Sequence, residues 1–145
     1  MTQEVYTILS LPKRIRAEIQ RTEAEIEGLR ISMLPGSMRY DKDIVQTSPQ
    51  DPMAQYVVRI ERLLSKITKL KRAYLEAQDE VMEICKQLDS PQSEIISMRF
   101  ISSYSFEVIA EKVSLSERQM FRYYRKGLVE IDELIKKNKD VSECQ

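Results

Sequence analysis

A chain of 145 residues, 42% of them hydrophobic, fits one ordinary domain or one small domain carrying an extended helical element, and excludes a sizeable second core. Its 23 lysines and arginines balance 23 aspartates and glutamates, so any nucleic-acid surface must come from uneven distribution of charge. Histidine is absent and glycine occurs three times, which removes the usual neutral-pH general base, the commonest transition-metal ligand and the glycine-rich phosphate cradles; neither an enzyme nor a bound cofactor is expected.

The first predicted element is a helix from Leu11 to Met33, where Leu11, Ile15, Ile19, Ile26, Leu29 and Met33 recur at helical spacing with Thr22 as a polar gap. Pro12 suits its first turn and Pro35-Gly36 its end. From Pro35 to Pro52 no period is sustained, and a loop is expected over 35–52.

Asp51-Pro52 supplies an N-cap and a first-turn proline for a second, longer helix. There Met53, Ile60, Ile67, Tyr74, Val81 and Leu88 stand seven apart, and Tyr56, Leu63, Leu70, Ala77 and Ile84 follow three residues after the first five, giving a coiled-coil seam. Such a seam needs a partner. This helix is basic up to Arg72 and acidic beyond it, while the first runs from Lys13, Arg14, Arg16 and Arg21 to Glu23, Glu25 and Glu27. Antiparallel pairing matches these charges, so a long helical hairpin is expected. Heptads in excess of one shorter partner would also serve a homodimer.

Cys85 lies within this helix and Cys144 near the C-terminus, in no C-x-x-C pair or framework, which points to a reducing compartment. The longest apolar runs fall short of the roughly 20 residues that cross a bilayer, and MTQEVYTILSLPKR lacks the order of a secretory signal; a cytoplasmic location without a membrane partner is expected.

Ser90-Pro91 is read as the cap and first turn of a third helix containing Ile95, Ile96, Met98 and Phe100. Ser105 caps a fourth, with Phe106, Ile109, Ala110 and Val113 facing inward. Ser116 and Gln119 then have the capping-box form and open a fifth helix after the short turn Val113 to Ser116. If Met120, Leu128, Ile131 and one of Tyr123 and Tyr124 face the core, Arg118, Arg122 and Arg125 share the opposite side, extended by Lys126. Between Ser116 and Gly127 four basic residues stand against Glu117, a local excess of three positive charges in a neutral chain. That suits phosphate and guanine recognition. The bland alternative is a tight helical corner with a solvated basic face.

The stretch SFEVIAEKVSLSERQMFRYYRKGL resembles, without a gap, the helix-turn-helix of region four of bacterial sigma factors, and SPQSEIISMRF looks like the helix that precedes it there. The longer layout, with VQTSPQDP between a helical first half and this module, resembles phage late-gene transcription regulators of the ArpU and RinA type, specifically from Leu88 to about Ile135. The resemblance implies transcriptional control from double-stranded DNA in a bacterial host, with Glu117, Arg118 and Arg122 where sigma factors contact bases. Glu117 departs from the arginine common there, and Ser114 from the residues frequent in the turn.

The combined expectation is an all-α chain: a coiled-coil-like antiparallel hairpin over 1–89, a sigma-region-four-like helix-turn-helix over 90–137 and a polar tail over 138–145. It binds double-stranded DNA through Ser116, Glu117, Arg118, Gln119, Arg122, Arg125 and Lys126, with RNA polymerase and a second copy of the chain as further expected partners. The alternative is an interaction module that docks on RNA polymerase or another regulator with little DNA affinity of its own.

Overall fold

The computed structural model describes residues 3–34 and 51–143. Among them are five helices and no strand: α1 (Gln3–Ser32), α2 (Pro52–Lys86), α3 (Gln92–Phe100), α4 (Phe106–Lys112) and α5 (Glu117–Glu143). The protein is all-α, as its patterning predicts. The expected 35–52 loop, apart from Asp51 and Pro52, lies outside the described residues, as does Cys144.

Two compact units divide the chain, one combining Met1–Arg14 with Tyr74–Gln145 and the other being Ile15–Ala73. The boundary expected between Asp89 and Ser90 is therefore not where the chain divides. Val81 and Cys85 from α2, with Leu88 just beyond its end, bury their side chains in the same apolar cluster as Ile95, Ile109 and Leu128, so the end of the long helix belongs to the C-terminal core.

In the Ile15–Ala73 unit, Asp51 caps α2 as expected, its Oδ1 accepting the Met53 N–H at 3.0 Å. Ile19, Leu63 and Ile67 are buried along the facing stripes. Thr22 fills the apparent gap in the first stripe: it is only 2% exposed, and its hydroxyl is satisfied by the Glu18 carbonyl at 2.9 Å. Lys66 meets Glu18 at 3.0 Å and Arg59 meets Glu25 at 3.3 Å. Moving forward along α1 thus moves backward along α2, which fixes the antiparallel pairing that the charge order predicts.

In the other unit α1 starts earlier than expected, at Gln3, leaving Pro12 inside the helix and not in its first turn. An interior proline costs about 3 kcal/mol through its missing N–H and its clash with the preceding turn. Val5 and Leu9, both fully buried, contribute about 1.5 to 3 kcal/mol each by leaving water, enough to offset that cost.

Ser90 is not the cap of α3. Its hydroxyl donates to Glu94 Oε1 at 3.4 Å, and the boundary residue Pro91 makes no side-chain cap. The turn closes through the backbone, with the Asp89 carbonyl taking the Ser93 N–H and the Pro91 carbonyl taking the Ile95 N–H, each at 3.0 Å. The Ser93 hydroxyl adds a bond to the Cys85 carbonyl at 2.8 Å.

The segment expected as a polar tail from Asn138 is helical through Glu143. Leu134 and Ile135 pack against the core just before it, and Lys139 reaches Glu4 of α1 at 2.8 Å. These contacts carry α5 onward past the point where its apolar pattern fades.

Candidate nucleic-acid interface

The basic face depends first on how α4 hands the chain to α5. Ser105 Oγ accepts the Val108 N–H at 3.3 Å and starts α4. At the other end the Leu115 N–H bonds to the Ala110 carbonyl at 3.0 Å and the Ser114 N–H to the Glu111 carbonyl at 3.2 Å, the paired bonds of a Schellman motif. Such a motif needs a left-handed residue just past the helix, and Ser114 occupies it with φ 58°. A serine is strained in that region where glycine is not, which is the cost its identity predicts.

Two residues later the chain re-enters a helix through the predicted capping box. The Gln119 N–H donates to Ser116 Oγ at 3.2 Å, and Ser116 N–H donates to Gln119 Oε1 at 3.3 Å. These two side chains bind each other's backbone, so of the predicted site residues they are the ones that position α5.

An aromatic cluster then fixes the packing of α5. The Phe106 ring of α4 lies 4.7 Å from that of Phe121 and 5.2 Å, edge-on, from that of Tyr124. Arg99 of α3 stacks over Phe106 at 4.1 Å. Tyr124, only 8% exposed, is the tyrosine that faces the core, and Tyr123 is half-buried beside it. The base-stacking alternative for this pair is not what the packing favours.

Gly127 sets how closely α5 can lie against α3. A Cβ there would fall 2.5 Å from Ile96 Cδ1 and 3.1 Å from Gln92 Cβ, so the absence of a side chain lets the helices touch. Below this crossing Gln92, 2% exposed, donates its side-chain amide to Glu130 Oε1 at 2.9 Å.

With Met120, Leu128 and Ile131 fully buried, the predicted register of α5 is the observed one. Glu117, Arg118, Arg122, Arg125 and Lys126 are all exposed. None of these four cations forms an ion pair among the described residues. Arg118 to Arg125 spans seven positions, about 10 Å along the helix axis.

Two features of this face go beyond what the sequence predicts. Val129 lies one turn beyond Arg125 and is 54% exposed, continuing the row with an apolar residue. Asp132 follows and pairs with Lys136 at 3.2 Å, with Glu133 exposed beside it. The basic stretch thus ends at Lys126 although the helix does not. A change from positive to negative is visible in the residue order, but only the continuation of α5 makes it one surface.

The class defined by these observations is an all-helical protein with a basic face, unpaired among the described residues, at the start of a capped helix packed on an aromatic cluster. No protein-family model, curated protein or solved structure matches the chain.

Proposed function

We propose that the protein is a sequence-specific double-stranded DNA-binding regulator of transcription, of the phage late-gene type that its sequence resembles. In this reading the first three turns of α5 enter a major groove. Arg118 and Arg122 reach base edges, while Arg125 and Lys126 hold phosphates. Ser116 and Gln119 support the reading indirectly, because their reciprocal cap sets the direction of the helix, and Glu117 faces the groove as the residue suited to accept from a cytosine amino group. The single observation that carries this proposal is the set of four exposed cations without acidic partners among the described residues, on the side of α5 opposite its buried stripe.

A second reading has one observation in its favour. Val129 places an apolar side chain in line with the cations, where DNA phosphates have no use for one and a protein surface such as RNA polymerase does. Homodimerisation loses part of its motive, since α1 at 30 residues is longer than the Leu11–Met33 helix that the sequence predicts.

The experiment measures affinities for a duplex enriched from a random pool and for a random-sequence duplex, using wild type, Arg118→Ala and Arg122→Ala. A bidentate arginine to guanine is worth about 1 to 3 kcal/mol of discrimination, so each variant should lose roughly 5- to 150-fold in the specificity ratio while circular dichroism stays unchanged. A ratio equal to wild type in both variants would show that this face does not read bases.

A further inference from the structure

Of the six cations of α2 in the Ile15–Ala73 unit, Lys71 lies off both faces considered below, and the other five divide into two sets. Arg59 and Lys66 turn toward α1, where Glu25 and Glu18 neutralise them at 3.3 and 3.0 Å. The Lys66 ammonium in turn holds the Glu18 carboxyl below its ordinary range. These two cations belong to the hairpin.

Arg62, Lys69 and Arg72 are different. They are exposed, and no acidic group pairs with them among the described residues. At 100° per residue Arg62 and Lys69 lie almost in line, with Arg72 within a quarter turn, about 15 Å from first to last along the axis. Glu61 is the only acid on this helix between Pro52 and Arg72, and Glu18 and Glu25 are already engaged. Among the described residues the unit therefore concentrates unpaired positive charge on one outward face, although the chain as a whole has formal net charge +0.

We propose that this face of α2 is a second DNA contact, binding backbone phosphates outside the base pairs read by α5. The inference rests on the DNA reading of α5 and adds a separate footprint to it. Duplex DNA is the occupant that the chemistry favours: its phosphates form an extended anionic row, and three flexible cations strung along about 15 Å of one helix face can meet it without further shape. Arginine and lysine are both used, as suits contacts that position the protein and carry no sequence information.

The test compares salt titrations of the full chain, wild type and the triple variant Arg62→Gln, Lys69→Gln, Arg72→Gln, on random-sequence and enriched duplexes. Removing one cation that neutralises a phosphate should lower the slope of log affinity against log salt by about 0.9. The triple variant should therefore fall by about 2 to 3 in slope on both duplexes, with its specificity ratio intact. Arg30→Gln, which removes a cation already paired with Glu27 at 3.6 Å, should leave the slope at wild type.

A triple-variant slope equal to wild type overturns the proposal and leaves the α5 reading standing. A drop in the Arg30 control of about a third of that in the triple variant also overturns it, since net charge alone would then explain the effect. If wild type itself shows no salt-dependent duplex binding, the DNA reading fails first and this contact falls with it. Weaker binding of the triple variant to phosphatidylserine vesicles, without any change in duplex slope, would assign the face to a lipid surface and overturn the proposal as well.

Discussion

Gly127 and Gly28 both sit inside helices, yet they should respond to alanine in opposite ways. At Gly127 the added methyl meets Ile96 and Gln92, and Ile96 is fully buried with little room to retreat. Overpacking of this kind costs about 1 to 3 kcal/mol, so Gly127→Ala should lower the urea midpoint. At Gly28 nothing lies within 4 Å, and the same substitution should stabilise by about 0.5 to 1 kcal/mol through helix propensity. Equal effects at the two positions would contradict the close α3–α5 crossing. Composition reveals the scarcity of glycine but not this role, because a close approach between helices far apart in sequence leaves no local mark.

Titration gives a second test at residue scale. Burial, reinforced by the neighbouring Tyr6 hydroxyl, pushes the Tyr124 phenol up from 10.0 to about 12, and burial pushes the Cys85 thiol up from 9.0 to about 11. Groups harder to ionise in the folded state leave stability whole below their unfolded values and remove it as pH rises toward their folded ones. Stability should therefore decline from about pH 9 for Cys85 and from about pH 10 for Tyr124. Tyr124→Phe should remove the part of the decline between about pH 10 and 12, seen as a shallower fall of the urea midpoint with pH. A fall as steep as in wild type would place the phenol in water.

At the scale of elements, the start of α1 is as much a part of the C-terminal core as α5. Leu9 is fully buried in the cluster that holds Leu128. Leu9→Ala should then cost about 2 to 5 kcal/mol, the range for a buried leucine, and the effect should match that of Leu128→Ala when unfolding is followed by tyrosine fluorescence. A cost below about 1 kcal/mol would separate α1 from this core. The capping devices at Asp51, Ser105 and Ser116 were legible in the sequence, because each is made within three residues of itself. Where α1 starts and where α5 ends was not, since Pro12 and the polar run after Asn138 oppose continuation locally and tertiary packing outweighs them. The cap signal at Ser90 is overridden for a related reason: backbone carbonyls and Ser93 already satisfy the turn.

For the whole molecule, the proposed function turns on how a neutral chain distributes its charge. The inward register of α5, with Met120, Leu128 and Ile131 buried, followed from helical period alone, and so did the exposure of Arg118, Arg122 and Arg125. Which cations are free and which are spent on ion pairs could not be read from the sequence, because Arg59 and Arg62 differ only in the side of α2 from which they project. Among the described residues no helix is long and apolar enough to cross a membrane. The exposed cations of α5 stand in water, where the phosphates of a duplex can displace their counterions. The most direct measurement is the affinity of the full chain for a random-sequence duplex at several salt concentrations, for wild type and the double variant Arg125→Gln, Lys126→Gln. Binding should weaken steeply with salt in wild type, and the slope of the double variant should be smaller by about 1.8, or 0.9 for each phosphate it no longer neutralises. Affinity that is absent at low salt, or that does not change with salt, would contradict DNA binding and leave the face to a protein partner.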